Sequence, residues 1–163
     1  MNNINSNVFN SFAKEDEGET ALNSNYQNKL IHVFCDDRTG FSETIVDILD
    51  SNYFDSYQKI LVDYIIKYYD DRGTVIRFGT LKDRVSFGEK GIQREHILGL
   101  IDTIETLNVE DKVEVQESSR EFFVKRNVRE VILRAAENWK KNKWDSILKD
   151  FEDALKAGQP KDS

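Results

Sequence analysis

The residues best suited to chemistry in this sequence are Cys35 and the two histidines, His32 and His96. His32 and Cys35 are three apart, a spacing that puts two side chains on one face of a helix, as a nucleophile and its base require. Nothing nearby supplies a group to orient the histidine or donors for an oxyanion. Cys35 closes the apolar run Leu30-Ile31-His32-Val33-Phe34-Cys35, and a buried, inert thiol is the simpler reading. A zinc site needs clustered Cys and His, and His32 and His96 are far apart in sequence. Paired carboxylates occur at Asp36-Asp37, Asp70-Asp71 and Glu110-Asp111. All fall in stretches that read as turns, where Asp bonds the backbone. The Asp-x-Asp-x-Asp-Gly spacing of a calcium loop is absent. Gly88-Glu89-Lys90-Gly91 has neither the spacing nor the hydroxyl of a phosphate-binding loop. The expectation is therefore no catalytic, cofactor or metal site, and a chain that works by binding other macromolecules. A small helical enzyme would have to rely on Cys35, His32 or His96.

One charged feature stands out. The formal net charge is −7, which disfavours non-specific nucleic-acid binding by the whole chain. Between residues 120 and 143 the balance reverses. Arg120, Lys125, Arg126, Arg129, Arg134, Lys140, Lys141 and Lys143 oppose only Glu121, Glu130 and Glu137. This basic stripe reads either as a solvated helix face or as a contact for phosphates or an acidic partner. Trp139 and Trp144 lie on the same helices. They suit an interface anchor and suit equally the packing of two helices.

The elements that carry these residues follow from apolar spacing. A first helix is expected over 24–35, with Leu30, Val33 and Phe34 on one face, and a second over 41–49. A third, 56–70, repeats Ile60, Leu61, Tyr64, Ile65 and Tyr68 at spacings of three and four, and Gly73 caps it. The segment Val75-Ile76-Arg77-Phe78 is a connector, since a lone strand has no sheet to join. A fourth helix opens near Thr80 with Leu81 and Val85 inward, and a fifth, 93–106, carries Ile97, Leu100, Ile101 and Ile104. A long helix over 115–142 has Phe122, Val128, Val131, Ile132, Ala135, Ala136 and Trp139 as its stripe. The last follows Lys143, with Trp144, Ile147, Leu148, Phe151 and Leu155 inward, and Gly158-Gln159-Pro160 ends it. The two fold back on one another as an antiparallel hairpin. The fold class is all-α.

The 163 residues, 39% hydrophobic and 33% charged, fit one domain with polar ends. Residues 1–24 read as a disordered polar tail in which Phe9 and Phe12 either dock on a partner or stand idle. The single Cys points to a reducing compartment. No apolar run reaches the ~18–20 residues of a membrane span, and the N-terminus lacks a secretory signal. The expected location is the cytoplasm, that of the host if the chain is phage-encoded.

Three stretches carry a family resemblance: Asp50-Ser51-Asn52-Tyr53-Phe54-Asp55, then Ile60 through Tyr69, then Phe78-Gly79-Thr80-Leu81-Lys82. Together they resemble the N-terminal domain of DnaB-like replicative DNA helicases of large tailed phages. That family has an aromatic pair before its third helix, a long apolar helix ending in aromatics, and a Thr-Leu opening to the next. Phe122-Phe123-Val124-Lys125-Arg126-Asn127 is similar to the family's aromatic-then-basic entry to a helical hairpin. Ile147 through Leu155 is similar to its closing helix. The likeness covers about Tyr26 to Gly158. It departs at Ile76-Arg77, where the family usually has a proline.

The resemblance implies a helical head over 25–107, a hairpin over 109–158, and a tail at 159–163 leading to a missing RecA-like ATPase domain. ATP and Mg are expected only there. It further implies hairpins that pair between subunits, as dimers within a hexamer. They would dock a primase or helicase loader and meet DNA indirectly. The residues expected at a subunit or partner interface are Val131, Ile132, Ala135 and Trp139 on one arm and Trp144, Ile147 and Phe151 on the other. The alternative is a stand-alone replication accessory protein that binds nucleic acid or the helicase through the basic helix.

Overall fold

The computed structural model describes residues 22–160. The expected N-terminal tail, with Phe9 and Phe12, falls almost wholly outside the described residues, as do the last three residues. Among the described residues seven α-helices run in order: α1 Ser24–Cys35, α2 Phe41–Ile45, α3 Ser56–Arg72, α4 Phe78–Gly88, α5 Gly91–Glu105, α6 Lys112–Lys140 and α7 Trp144–Lys156. Two short 3-10 turns, Val46–Ile48 and Ser51–Tyr53, bridge α2 and α3. The described residues contain no strand.

Helix α1 starts where Asn23 places its side-chain oxygen 2.9 Å from the Tyr26 N–H, satisfying one of the donors a helix start leaves open. A single apolar face was the expectation. Instead Leu30, Ile31, His32, Val33, Phe34 and Cys35 are all buried. A helix apolar all round has to be surrounded, and α1 touches α2, α3, α5 and α6. Arg77 holds its C-terminal end, with Nη1 donating to the carbonyls of Cys35 at 3.3 Å and Asp37 at 2.7 Å. This places a cation where the helix dipole is negative.

Asp37 then shapes the turn. Its carboxylate accepts from the Thr39 N–H at 2.8 Å and from the Ser42 N–H at 2.9 Å. The second bond fixes the first turn of α2. The helix expected over 41–49 is α-helical only to Ile45 and tightens to a 3-10 turn through Ile48. Gly73, at φ 73°, ends α3 in the left-handed conformation that favours glycine. The connector runs straight into α4, two residues earlier than Thr80, and Ile76 drops into the core.

Ile97, Ile101 and Ile104 of α5, Leu81 and Val85 of α4, and Leu61, Val62 and Ile65 of α3 complete that core. The first half of α6 packs on it through Val115, Ser119 and Phe123. With 29 residues, α6 is about 43 Å long. Val131 is its last buried side chain. The chain turns at Lys141-Asn142-Lys143, with Asn142 at φ 58°, and α7 runs back along α6. Arg134 Nε lies 3.4 Å from Asp150 Oδ2. At the far end Gly158, at φ 78°, sits tight against Val124 of α6.

Candidate functional site

Packing settles the chemistry expected near α1. Cys35 is 1% exposed, and burial pushes its thiol up to about 12, with Arg77 opposing the shift only in part. A thiol held neutral is a poor nucleophile. His32 is also buried. Its Nδ1 bonds the Ile104 carbonyl at 2.8 Å and its Nε2 lies 4.0 Å from Asp36, so the ring ties α1 to α5. His96 pairs with the Tyr57 hydroxyl at 3.1 Å on the surface. Among the described residues no group of three His, Cys, Asp or Glu side chains gathers as metal ligands would. A cleft of about 700 Å³ lies between α6, α7 and the 3-10 turn at Ile48. Asp47, Arg134, Asp150 and Asp153 line it, and no Ser, Thr, Cys or His does.

The basic stripe divides into two sets. Arg126 is only 7% exposed and its guanidinium lies 5.0 Å from the ring centres of both Tyr53 and Phe122. It cannot be the surface contact expected of it. A delocalised cation between two aromatic faces packs as a structural element. Arg120 lies over Phe41 at 5.5 Å and reaches Thr44 Oγ1 at 3.5 Å, so it too faces the core. Arg129 is mostly covered and meets Glu130 at 3.0 Å. Lys125, Arg134, Lys140, Lys141 and Lys143 are exposed. Of these, Arg134 pairs with Asp150, and Lys140 lies 3.8 Å from Glu137. The exposed cations of the stripe are Lys125 and a group from Arg134 onward that concentrates at the α6–α7 turn.

The expected interface residues divide as well. Val131 is 2% exposed and closes α6 against its surroundings, so it is not available to a second subunit. Ile132, Ala135 and Ile147 are half-buried. Trp139 and Trp144 flank the turn and meet edge to face, with centroids 4.6 Å apart. Phe151 is exposed.

The larger departure concerns α7. Its stripe of Trp144, Ile147, Leu148, Phe151 and Leu155 was expected to point inward, yet α7 has no buried residue. Leu148 is 65% exposed and Leu155 80%. The helix is sharply two-sided, but its apolar side is wider than the strip α6 covers. Phe123, fully buried and stacked on Phe54 at 6.2 Å, is the core contact that the sequence spacing assigned to its neighbour Phe122. Phe87 and Ile92, on either side of the α4–α5 turn, are exposed without any signal in the spacing.

No protein-family model, curated protein or solved structure matches this chain. No helix among the described residues is long and apolar enough to cross a membrane.

Proposed function

We propose that this chain is a non-catalytic assembly and partner-docking domain, the N-terminal part of a DnaB-like replicative helicase acting in DNA replication. In this reading residues 25–107 form a head and 109–158 a hairpin. A second copy of the hairpin covers α7, and a primase or loader docks on the assembled collar. ATP and Mg belong to an ATPase domain outside this chain. The motifs described above support the family assignment.

The observation that carries the assembly reading is α7 itself, a strongly amphipathic helix with no buried residue. Such a helix owes its stability to whatever covers its apolar side. Burying an exposed leucine or phenylalanine is worth about 1.5–3 kcal/mol. Two copies pairing through Leu148, Phe151 and Leu155, which are 65%, 41% and 80% exposed, bring the equivalent of nearly four such side chains, roughly 6–11 kcal/mol gross. Association itself costs about 4–15 kcal/mol. The two are of the same order, so pairing should depend on concentration rather than be permanent.

Sedimentation velocity on Leu148→Asp combined with Phe151→Asp tests this. The variant should sediment as a monomer at concentrations where the wild type self-associates. Equal sedimentation of the two would remove α7 from the assembly surface.

A further inference from the structure

The segment Trp139-Lys140-Lys141-Asn142-Lys143-Trp144 is the one place where exposed aromatic rings and exposed cations coincide on the described surface of α6 and α7. From it we propose that the α6–α7 turn is a binding site for an unpaired polynucleotide strand. The phosphates would lie against Lys140, Lys141 and Lys143, and a base would stack on the tryptophan pair.

Geometry and charge both favour that ligand. Trp139 is 61% exposed and Trp144 47%. Their planes stand at 84°, so the contact covers one face of one ring and leaves other indole faces open. Base–aromatic stacking contributes through any base, because every base has a π-face. A duplex offers no free base face away from its ends, whereas a single strand offers one per nucleotide. The three lysines sit within four residues, and all are exposed. The nearby carboxylates are Glu137, beside Lys140, and Asp145, in the first turn of α7, where it meets the positive end of that helix.

The chain's overall charge of −7 would repel a polyanion, but the turn is set apart from it. Trp139 lies eight residues beyond Val131, the last buried side chain of α6. That is about 12 Å along the helix axis, and from residue 134 to 150 the cations Arg134, Lys140, Lys141, Lys143 and Lys149 outnumber the carboxylates Glu137, Asp145 and Asp150. The same structure explains why only part of the basic stripe belongs to the site. Arg120, Arg126 and Arg129 are turned into the protein, so the phosphate contacts available number about three. The site uses the turn, whereas the proposed pairing of α7 uses Leu148, Phe151 and Leu155, although Trp144 stands one helical turn before Leu148 on the same face.

Both tryptophans of the chain lie in this site, so all its indole fluorescence reports on it. The experiment is titration of the full chain with a twenty-residue oligodeoxythymidine at several salt concentrations, with an oligouridine of equal length in parallel. Quenching by either strand is expected, with log K falling against log salt at a slope of about −2 for three phosphate contacts on a single strand. Lys140→Glu with Lys141→Glu and Lys143→Glu keeps the probe and should weaken binding at least tenfold without changing the sedimentation of the chain. Absence of quenching at low salt, unchanged binding by the triple variant, or tighter binding of a blunt duplex of the same length would each overturn the proposal. So would a fluorescence shift with vesicles of anionic phospholipid and none with the oligonucleotides, which would make the turn a membrane contact.

Discussion

Trp139 and Trp144, the last aromatic side chain of α6 and the first residue of α7, meet edge to face with ring centroids 4.6 Å apart. They hold the α6–α7 turn closed although each is largely exposed. Such a pair contributes about 0.5–1.5 kcal/mol beyond the area it buries. A double-mutant cycle of Trp139→Ala and Trp144→Ala, followed by urea unfolding, should return a coupling energy in that range. Additive losses would mean the contact holds nothing.

Arg126 should behave unlike the other cations of α6. It lies between Tyr53 and Phe122, so its loss removes two cation–π contacts and the packing of its stem. Arg126→Ala should cost about 2 kcal/mol in urea unfolding, whereas Lys141→Ala should stay within about 0.5 kcal/mol of wild type. Equal small effects would contradict the structural role given to Arg126.

How much of this was legible in the sequence depends on what a pattern can encode. The end of α1 was readable because Asp36-Asp37 after it is a local turn signal, and the Gly73 cap was readable for the same reason. Helix α6 starts at Lys112, three residues before the expected start, and the expected stripe runs through Phe122. Two adjacent phenylalanines fit the spacing equally well, and only the packing against Phe54 selects Phe123. The burial of Arg126 left no trace, because an arginine among arginines looks solvated until its aromatic neighbours from distant segments are known. The stripe on α7 was plain. A stripe says that something covers the helix, not that its own chain does.

Stability should fall in acid through Asp37. Partial burial disfavours its charge, but hydrogen bonds from Ser42 and Thr39 outweigh burial and hold the carboxyl below its ordinary value. A group with a depressed folded pKa stabilises the fold above its unfolded value, about 3.9 for Asp. That contribution is lost as pH falls through the lower folded value. Asp37→Ala also removes the bond it accepts from the Ser42 N–H in the first turn of α2 and should cost about 1 kcal/mol at neutral pH. The gap between variant and wild type in urea unfolding should narrow below about pH 4. A constant gap would show that the charge of Asp37 adds nothing.

The return of α7 to the rest of the molecule rests on Gly158. Its φ of 78° suits glycine, and an added Cβ would lie 2.5 Å from Val124 Cγ2. The left-handed conformation costs an L-residue about 1–2 kcal/mol, and the crowding adds to it. Gly158→Ala should therefore destabilise by about 2 kcal/mol or more, with the loss visible as faster amide exchange in the last turn of α7. Unchanged exchange there would mean α7 is held by α6 alone.

The assembly reading is tested most directly by the mass of the wild-type chain in light scattering over a hundredfold range of concentration. One chain weighs 19.0 kDa. The account predicts a mass that climbs with concentration to at least twice that value and falls back on dilution. A mass that stays at one chain throughout would contradict pairing through α7 and leave its apolar face to a different partner.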